Sequence, residues 1–190
     1  MIMKKAIILT LLSVLFQMAF GQNGNFSDMA FQRKGWYVNT GFSFGYYKYG
    51  FSGNRQIKIL PTTCSLEKGI SNQFSAGLYL GYAKWEYLGD YNLEFISTGT
   101  RLTWHTLTGK PGWIDLDPTR WDLYISVITG VEIRVADEYL NFTGPYEKET
   151  RVVFGPVVGL KYFFNPGIGV YVEGGRGAFG YGTAGIAFRF

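Results

Sequence analysis

Residues 121–134 read WDLYISVITGVEIR. Trp121, Leu123, Ile125, Val127, Val131 and Ile133 share one parity, and Asp122, Tyr124, Ser126, Gly130 and Glu132 share the other. Apolar and non-apolar side chains thus alternate with the period of a β-strand, not with the 3.6-residue period of a helix. The residues are also of the β-branched and aromatic types that suit a pleated surface.

The same alternation recurs in both directions from this stretch. Toward the N-terminus it predicts strands over 36–48, 57–67, 73–86 and 94–106. The first sets Trp36, Val38, Thr40, Phe42, Phe44 and Tyr46 against Asn39, Gly41, Ser43 and Gly45. The fourth sets Ile96, Thr98, Thr100, Leu102 and Trp104 against Ser97, Gly99, Arg101, Thr103 and His105. Toward the C-terminus it predicts strands over 152–163, 168–175 and 180–190, with Gly, Asn, Pro and charged residues marking the turns between. That makes eight strands, and an even number of antiparallel strands can close without leaving an edge. The expectation is an all-β fold, an eight-stranded antiparallel up-and-down transmembrane β-barrel.

Composition agrees. The 190 residues suit one domain; 18% are aromatic, 26 are Gly, only 17% are charged, and the formal net charge is +4. So little charge beside so many aromatics excludes a disordered chain and argues against nucleic acid as a partner. Cys64 is alone, so no internal disulfide forms, and with His105 the only histidine no multi-His zinc site forms within one chain. No cofactor, metal or catalytic residue is expected.

Residues 1–21 have the pattern of a secretory signal peptide: Lys4 and Lys5, an apolar run from Ala6 to Phe20, then Ala19 and Gly21 at the small-residue positions before a cut at Gln22. Residues 22–34 would follow as a periplasmic N-terminal tail and 35–190 as the barrel. No other stretch is apolar for the roughly 18 residues of a membrane helix.

Which parity faces inward decides between two all-β forms. A soluble lipocalin-like binder of apolar ligands would turn the bulky apolar rows inward and carry a dense charged exterior. Here the opposite rows are mostly Gly, Ser and Thr, too small and sparse for a solvated surface but suited to a narrow interior. The apolar rows are therefore assigned to lipid. With the N-terminus at the periplasmic side, Trp36, Phe74, Trp104, Trp121, Tyr162 and Phe190 all fall at that end of the apolar face, as an aromatic girdle would.

The chain ends Thr183-x-Gly185-x-x-Phe188-x-Phe190, which resembles the C-terminal signal read by the barrel-assembly machinery. With the export signal and eight strands, residues 35–190 resemble the small outer-membrane β-barrel family typified by OmpX and the transmembrane domain of OmpA. The resemblance implies a monomer in the outer membrane of a Gram-negative-type bacterium, in contact with outer-membrane lipid and with the assembly machinery during biogenesis. Its role would be structural or one of surface interaction, with a partner for the external loops that the sequence does not name. The alternatives are a narrow gated channel for ions or small solutes and a soluble periplasmic lipocalin-like binder of apolar ligands.

The inward rows carry charges on consecutive segments: Arg101, then Asp122 or Glu132, then Lys161, Glu173 and Arg189, alternating in sign. Such charges are costly in a narrow interior unless paired, so a salt-bridge plug is expected. Ser97 lies eight residues from His105 toward the outer end of the same strand, which assembles no nucleophile and base. Gly175-Arg176-Gly177-Ala178-Phe179-Gly180 matches G-x-G-x-x-G, but a strand and not a helix follows, so it reads as a tight outer hairpin. Asn25 and Asn141 match a glycosylation sequon only nominally. Asp115 and Asp117, and Asp137, Glu138, Glu147 and Glu149, show no cation-ligand spacing. Outer loops are expected near 48–56, 86–92, 135–150 and 175–179; the third, with Tyr139, Phe142 and Tyr146, is the longest. Pro156 predicts a local irregularity in the sixth strand. Residues 107–120 are long for a periplasmic turn and would form a small cap anchored by Trp113.

Overall fold

The computed structural model describes residues 29–45, 55–87, 91–109, 115–136 and 149–190. The signal peptide, Tyr46, Trp113, most of the long 135–150 loop and both sequons' asparagines lie outside them. Eight strands run in chain order: β1 (Trp36–Phe44), β2 (Arg55–Gly69), β3 (Phe74–Tyr87), β4 (Tyr91–His105), β5 (Trp121–Ala136), β6 (Glu149–Phe163), β7 (Ile168–Gly175) and β8 (Gly182–Arg189). Each pairs antiparallel with the next, and β8 pairs with β1, so the sheet closes as an up-and-down barrel. One 3₁₀ turn, Leu107–Gly109, is the only helical element among the described residues.

Every predicted strand is present, with ends displaced by a few residues. The irregularity expected at Pro156 is instead found in β2, where the register to β3 shifts between Ile57 and Thr62, beside Pro61. Pro156 pairs regularly with Val127. Its carbonyl accepts from Arg176 N, and N–H and C=O of one strand residue point to the same side. The missing N–H of Pro156 therefore faces the end of the short β7, where no ladder continues.

The apolar rows point outward. Leu78, Phe154 and Val152 are 61%, 60% and 77% exposed, and Phe42, Phe44, Leu80 and Val172 lie on the same outer surface. That orientation is the inverse of a lipocalin-like binder. Trp36, Phe74, Trp104, Trp121, Tyr162 and Phe190 stand on the outer face at the end where both described termini lie, here the terminal end. Trp121 and Tyr162 rings are 4.6 Å apart, and Lys68 Nζ lies 4.9 Å over the Trp36 ring. Toward the far end the outer face turns charged, with Lys84 paired to Glu94 at 2.7 Å and Lys58 paired to Glu86. Along β3 the apolar belt runs from Phe74 to Lys84. At about 3.3 Å per residue and a strand tilt of about 40°, its height is about 25 Å.

Candidate functional site in the lumen

The interior is filled in two layers. Nearer the terminal end the inward positions of β1 to β7 meet in one polar network. Glu67 on β2 is its hub: Oε2 accepts from Ser75 Oγ at 2.9 Å and Thr103 Oγ1 at 2.5 Å, and Oε1 accepts from Asn39 Nδ2 at 3.1 Å. Arg101 Nε lies 3.3 Å from the same Oε1, while its Nη2 donates to Ser126 Oγ at 2.9 Å and to Glu173 Oε1 at 2.5 Å. Tyr124 OH also donates to Glu173 Oε1, at 2.7 Å. The Tyr124 ring lies over Gly159, where any Cβ would overlap it.

The predicted lumen charges are thus brought together only in part, and along different lines. Neighbouring strands of alternating sign do not simply pair. Arg101 on β4 reaches across the lumen to Glu173 on β7 and to Glu67 on β2, a residue the charge pattern passed over because its own strand carries few lumen charges. Of the two acids on β5, Asp122 joins the cluster, 3.9 Å from Lys161 Nζ, whereas Glu132 sits farther along the strand in register with Arg151. Lys161 is fully buried, with its ammonium 4.7 Å over Tyr124 and 5.4 Å over Tyr37. Arg189 turns to backbone oxygens of Met29, Ala30 and Pro166.

His105 also differs from expectation. Its Nδ1 lies 2.8 Å from Asp122 Oδ1, and its Nε2 lies 2.9 Å from Ser75 Oγ, so β3, β4 and β5 assemble a Ser–His–Asp series across strands, which spacing along β4 does not show. The atom order is that of an acyl-transfer triad. Its surroundings are not. Ser75 and His105 have no exposed surface, and the Phe31 ring lies flat on the imidazole, 3.5 Å between centroids at 10°. Ser75 also has a single hydroxyl proton, which Glu67 and His105 Nε2 cannot both receive. The series links β3, β4 and β5 across the polar layer.

Phe31 belongs to a segment, residues 29–35, that lies across the terminal mouth. Ala30 N donates to Pro118 O at 2.7 Å, Lys34 N to Gly69 O at 2.9 Å, and Gln32 N to Tyr37 OH at 2.6 Å. The described parts of the 107–120 connection thus meet the N-terminal segment over the opening. At the barrel's C-terminal seam, Phe188 packs with Val38 and Ile168, and Phe190 lies against them. Thr183 is 3.0 Å from Ser43, hydroxyl to hydroxyl, and Gly185 pairs with Gly41.

The second layer, toward the far end, is mainly apolar, although Ser97 and Glu132 are also buried on its inward rows. Tyr79, Ala83, Phe95, Ile128 and Val153 point inward and enclose Ala178 and Phe179. The hairpin 176–181 between the two short strands β7 and β8 is therefore folded into the barrel, not held outside it. Gly177 N donates to Gly180 O and Gly175 N to Tyr181 O, and Gly175 has φ 135°, a conformation that favours glycine. Phe179 lies against Gly81, where a Cβ would collide with the ring. Parity missed this insertion because a turn residue has no strand face.

No protein-family model matches the chain, and no curated protein matches it in sequence. Solved structures match it in shape. Ail, the attachment invasion locus protein of Yersinia pestis, solved with the heparin analogue sucrose octasulfate, aligns at TM-score 0.50 and 9% identity over 84% of this chain and 100% of that one. Neisserial surface protein A aligns at 0.49 and 10%, over 83% and 95%. The N-terminal barrel domain of OprF from Pseudomonas aeruginosa aligns at 0.46 and 14%, over 84% and 98%. With its closed eight-strand topology, this chain has the fold of the small outer-membrane β-barrels.

Proposed function

We propose that the chain is a monomeric integral outer-membrane protein of a Gram-negative-type cell, exported by a cleaved signal peptide, with a structural or surface-interaction role and a sealed, non-catalytic lumen. The observation that carries this is the outer belt. Apolar side chains cover about 25 Å between an aromatic rim and a charged collar, the height and edging that lipid selects in transmembrane barrels. The terminal end then faces the periplasm, and Thr183, Gly185, Phe188 and Phe190 serve as the assembly signal. Lumen contents favour a wall and not a pore: a charge network under the 29–35 segment and an apolar layer around Phe179 stand in series. A nucleophile sealed beneath Phe31 favours no hydrolysis.

Outer-membrane isolation followed by gel electrophoresis with and without boiling tests this reading. A carbonate-resistant band whose mobility changes on boiling is expected; release by salt and carbonate would overturn it. The second reading, a narrow gated channel, is favoured by the position of Arg101 between two carboxylates in the polar layer. It predicts that Glu173→Ala changes single-channel conductance in planar bilayers, and unchanged conductance removes it.

A further inference from the structure

We propose that the lumen holds one long-lived internal water at Asn39 and that the inserted 176–181 hairpin is its door. Asn39 is 2% exposed, and its amide is fixed in orientation: Nδ2 donates to Ser65 Oγ at 2.9 Å and to Glu67 Oε1 at 3.1 Å. Turning the amide over would set its oxygen against the Glu67 carboxylate, so the assignment of N and O is settled by charge. Among the described residues, Oδ1 accepts no hydrogen bond. A buried acceptor of this kind calls for a donor.

A cavity of about 30 Å³ lies beside it, lined among others by Asn39, Arg101, Glu173 and Thr183. One water needs roughly 10–15 Å³ of such space and two to four polar partners, so the cavity has room for roughly two or three waters, one of them at Asn39 Oδ1. Asn39 Oδ1, the Glu173 carboxylate and the Thr183 hydroxyl supply acceptors, and Thr183 and Arg101 supply donors. A small cation would also satisfy Oδ1, but the Arg101 guanidinium on the same wall opposes it. A neutral donor fits better, and water is the smallest.

The route of exchange follows from the walls. Gly177 and Ala178 of the inserted hairpin line the cavity, and no residue of 29–35 does. Withdrawing the hairpin opens the cavity toward the far end; withdrawing Phe31 exposes only the His105 layer. Residence of the water therefore reports opening of the Phe179 plug.

The test uses the mature chain folded in detergent micelles, its folding checked by the shift in gel mobility on boiling. Water-to-protein NOE and ROE spectra are recorded at Asn39 and Thr183. The wild type is expected to show cross-peaks of a long-resident water, unchanged when sodium is replaced by a bulky organic cation. Asn39→Leu removes them. Phe179→Ala shortens residence on the order of tenfold or more by raising the population of the locally opened state, while Phe31→Ala leaves it unchanged. No long-lived water in the folded wild type, or a signal that requires sodium, overturns the site. Faster exchange in Phe31→Ala with none in Phe179→Ala overturns the door. The wild-type spectra decide the site even if Asn39→Leu fails to fold.

Discussion

The two layers of the lumen solve the same problem by opposite chemistry. In the layer nearer the terminal end, Glu67, Arg101, Asp122, Lys161 and Glu173 fill the bore with charge, and hydroxyls of Ser75, Thr103, Ser126 and Tyr124 surround them. Toward the far end, Phe179 enters from a turn and is enclosed by Tyr79, Phe95, Ile128 and Val153. The first layer holds only as a set, because each buried ion depends on its counter-ion. The second holds contact by contact, since each ring or methyl contributes its own packing, and coupling is confined to side chains that touch. Breaking them should therefore give different patterns, and not only different magnitudes.

The largest effect is expected for Arg101→Met, which leaves Glu67 and Glu173 buried without their shared cation. About 3–5 kcal/mol should be lost, read as a lower urea midpoint for unfolding from lipid vesicles by gel mobility. Adding Glu67→Gln and Glu173→Gln should recover most of that loss, because replacing a whole buried ionic set is often neutral. A triple variant no more stable than the single one would contradict the idea of a self-contained charge set.

Phe179→Ala comes next, at about 3 kcal/mol for a buried phenylalanine, and no second substitution among polar residues should recover it. Gly81→Ala tests the same contact from the wall. Its methyl meets the Phe179 ring, so a loss of about 1–3 kcal/mol from overpacking is expected, and it should shrink when Phe179 is already Ala. Equal effects of Gly81→Ala in both backgrounds would show that Phe179 does not occupy that place.

The smallest effect concerns the 115–120 turn, outside the strands. Hydrogen bonds from the Thr119 hydroxyl and N–H hold the Asp117 carboxyl below its ordinary value. A depressed carboxylate favours the ordered turn above its unfolded value, and that contribution is lost as pH falls through the folded one. Amide protection at Thr119 and Arg120, taken relative to the intrinsic exchange rate at each pH, should fall below the usual carboxylate range while that within β5 stays unchanged. Asp117→Asn should remove the pH dependence; persistence of the dependence would assign it elsewhere.

Much of the barrel was legible because a wall with two different faces writes period two into the chain. Trp121 to Ile133 shows this most plainly, and the outward turn of those rows followed from the smallness of their neighbours. Bonding within the lumen was less legible. Parity says that Arg101 and Glu173 point inward, but how far each reaches across a closed barrel depends on shear and side-chain length, which the pattern does not contain. Glu67 and Ser75 also stand on inward rows, but parity does not show that they meet Arg101 and His105. Pro156 looked like a fault because its strand was read alone; the short β7 leaves its nitrogen without a neighbour to disappoint. Phe179 carried no periodic signal at all. A bulky ring among four glycines of 174–180, opposite a second glycine at 81, was the available hint.

Cys64, the single cysteine, stands exposed on the outer face of β2, in register with Thr40 and Leu80. An environment-sensitive fluorophore attached there in lipid vesicles reads the medium outside the barrel directly. With Cys64 facing acyl chains, strong quenching by lipids brominated along the chain and little by an aqueous quencher such as iodide is expected. Iodide quenching at Cys64 as efficient as for a free dye, with none from the brominated lipid, would contradict it.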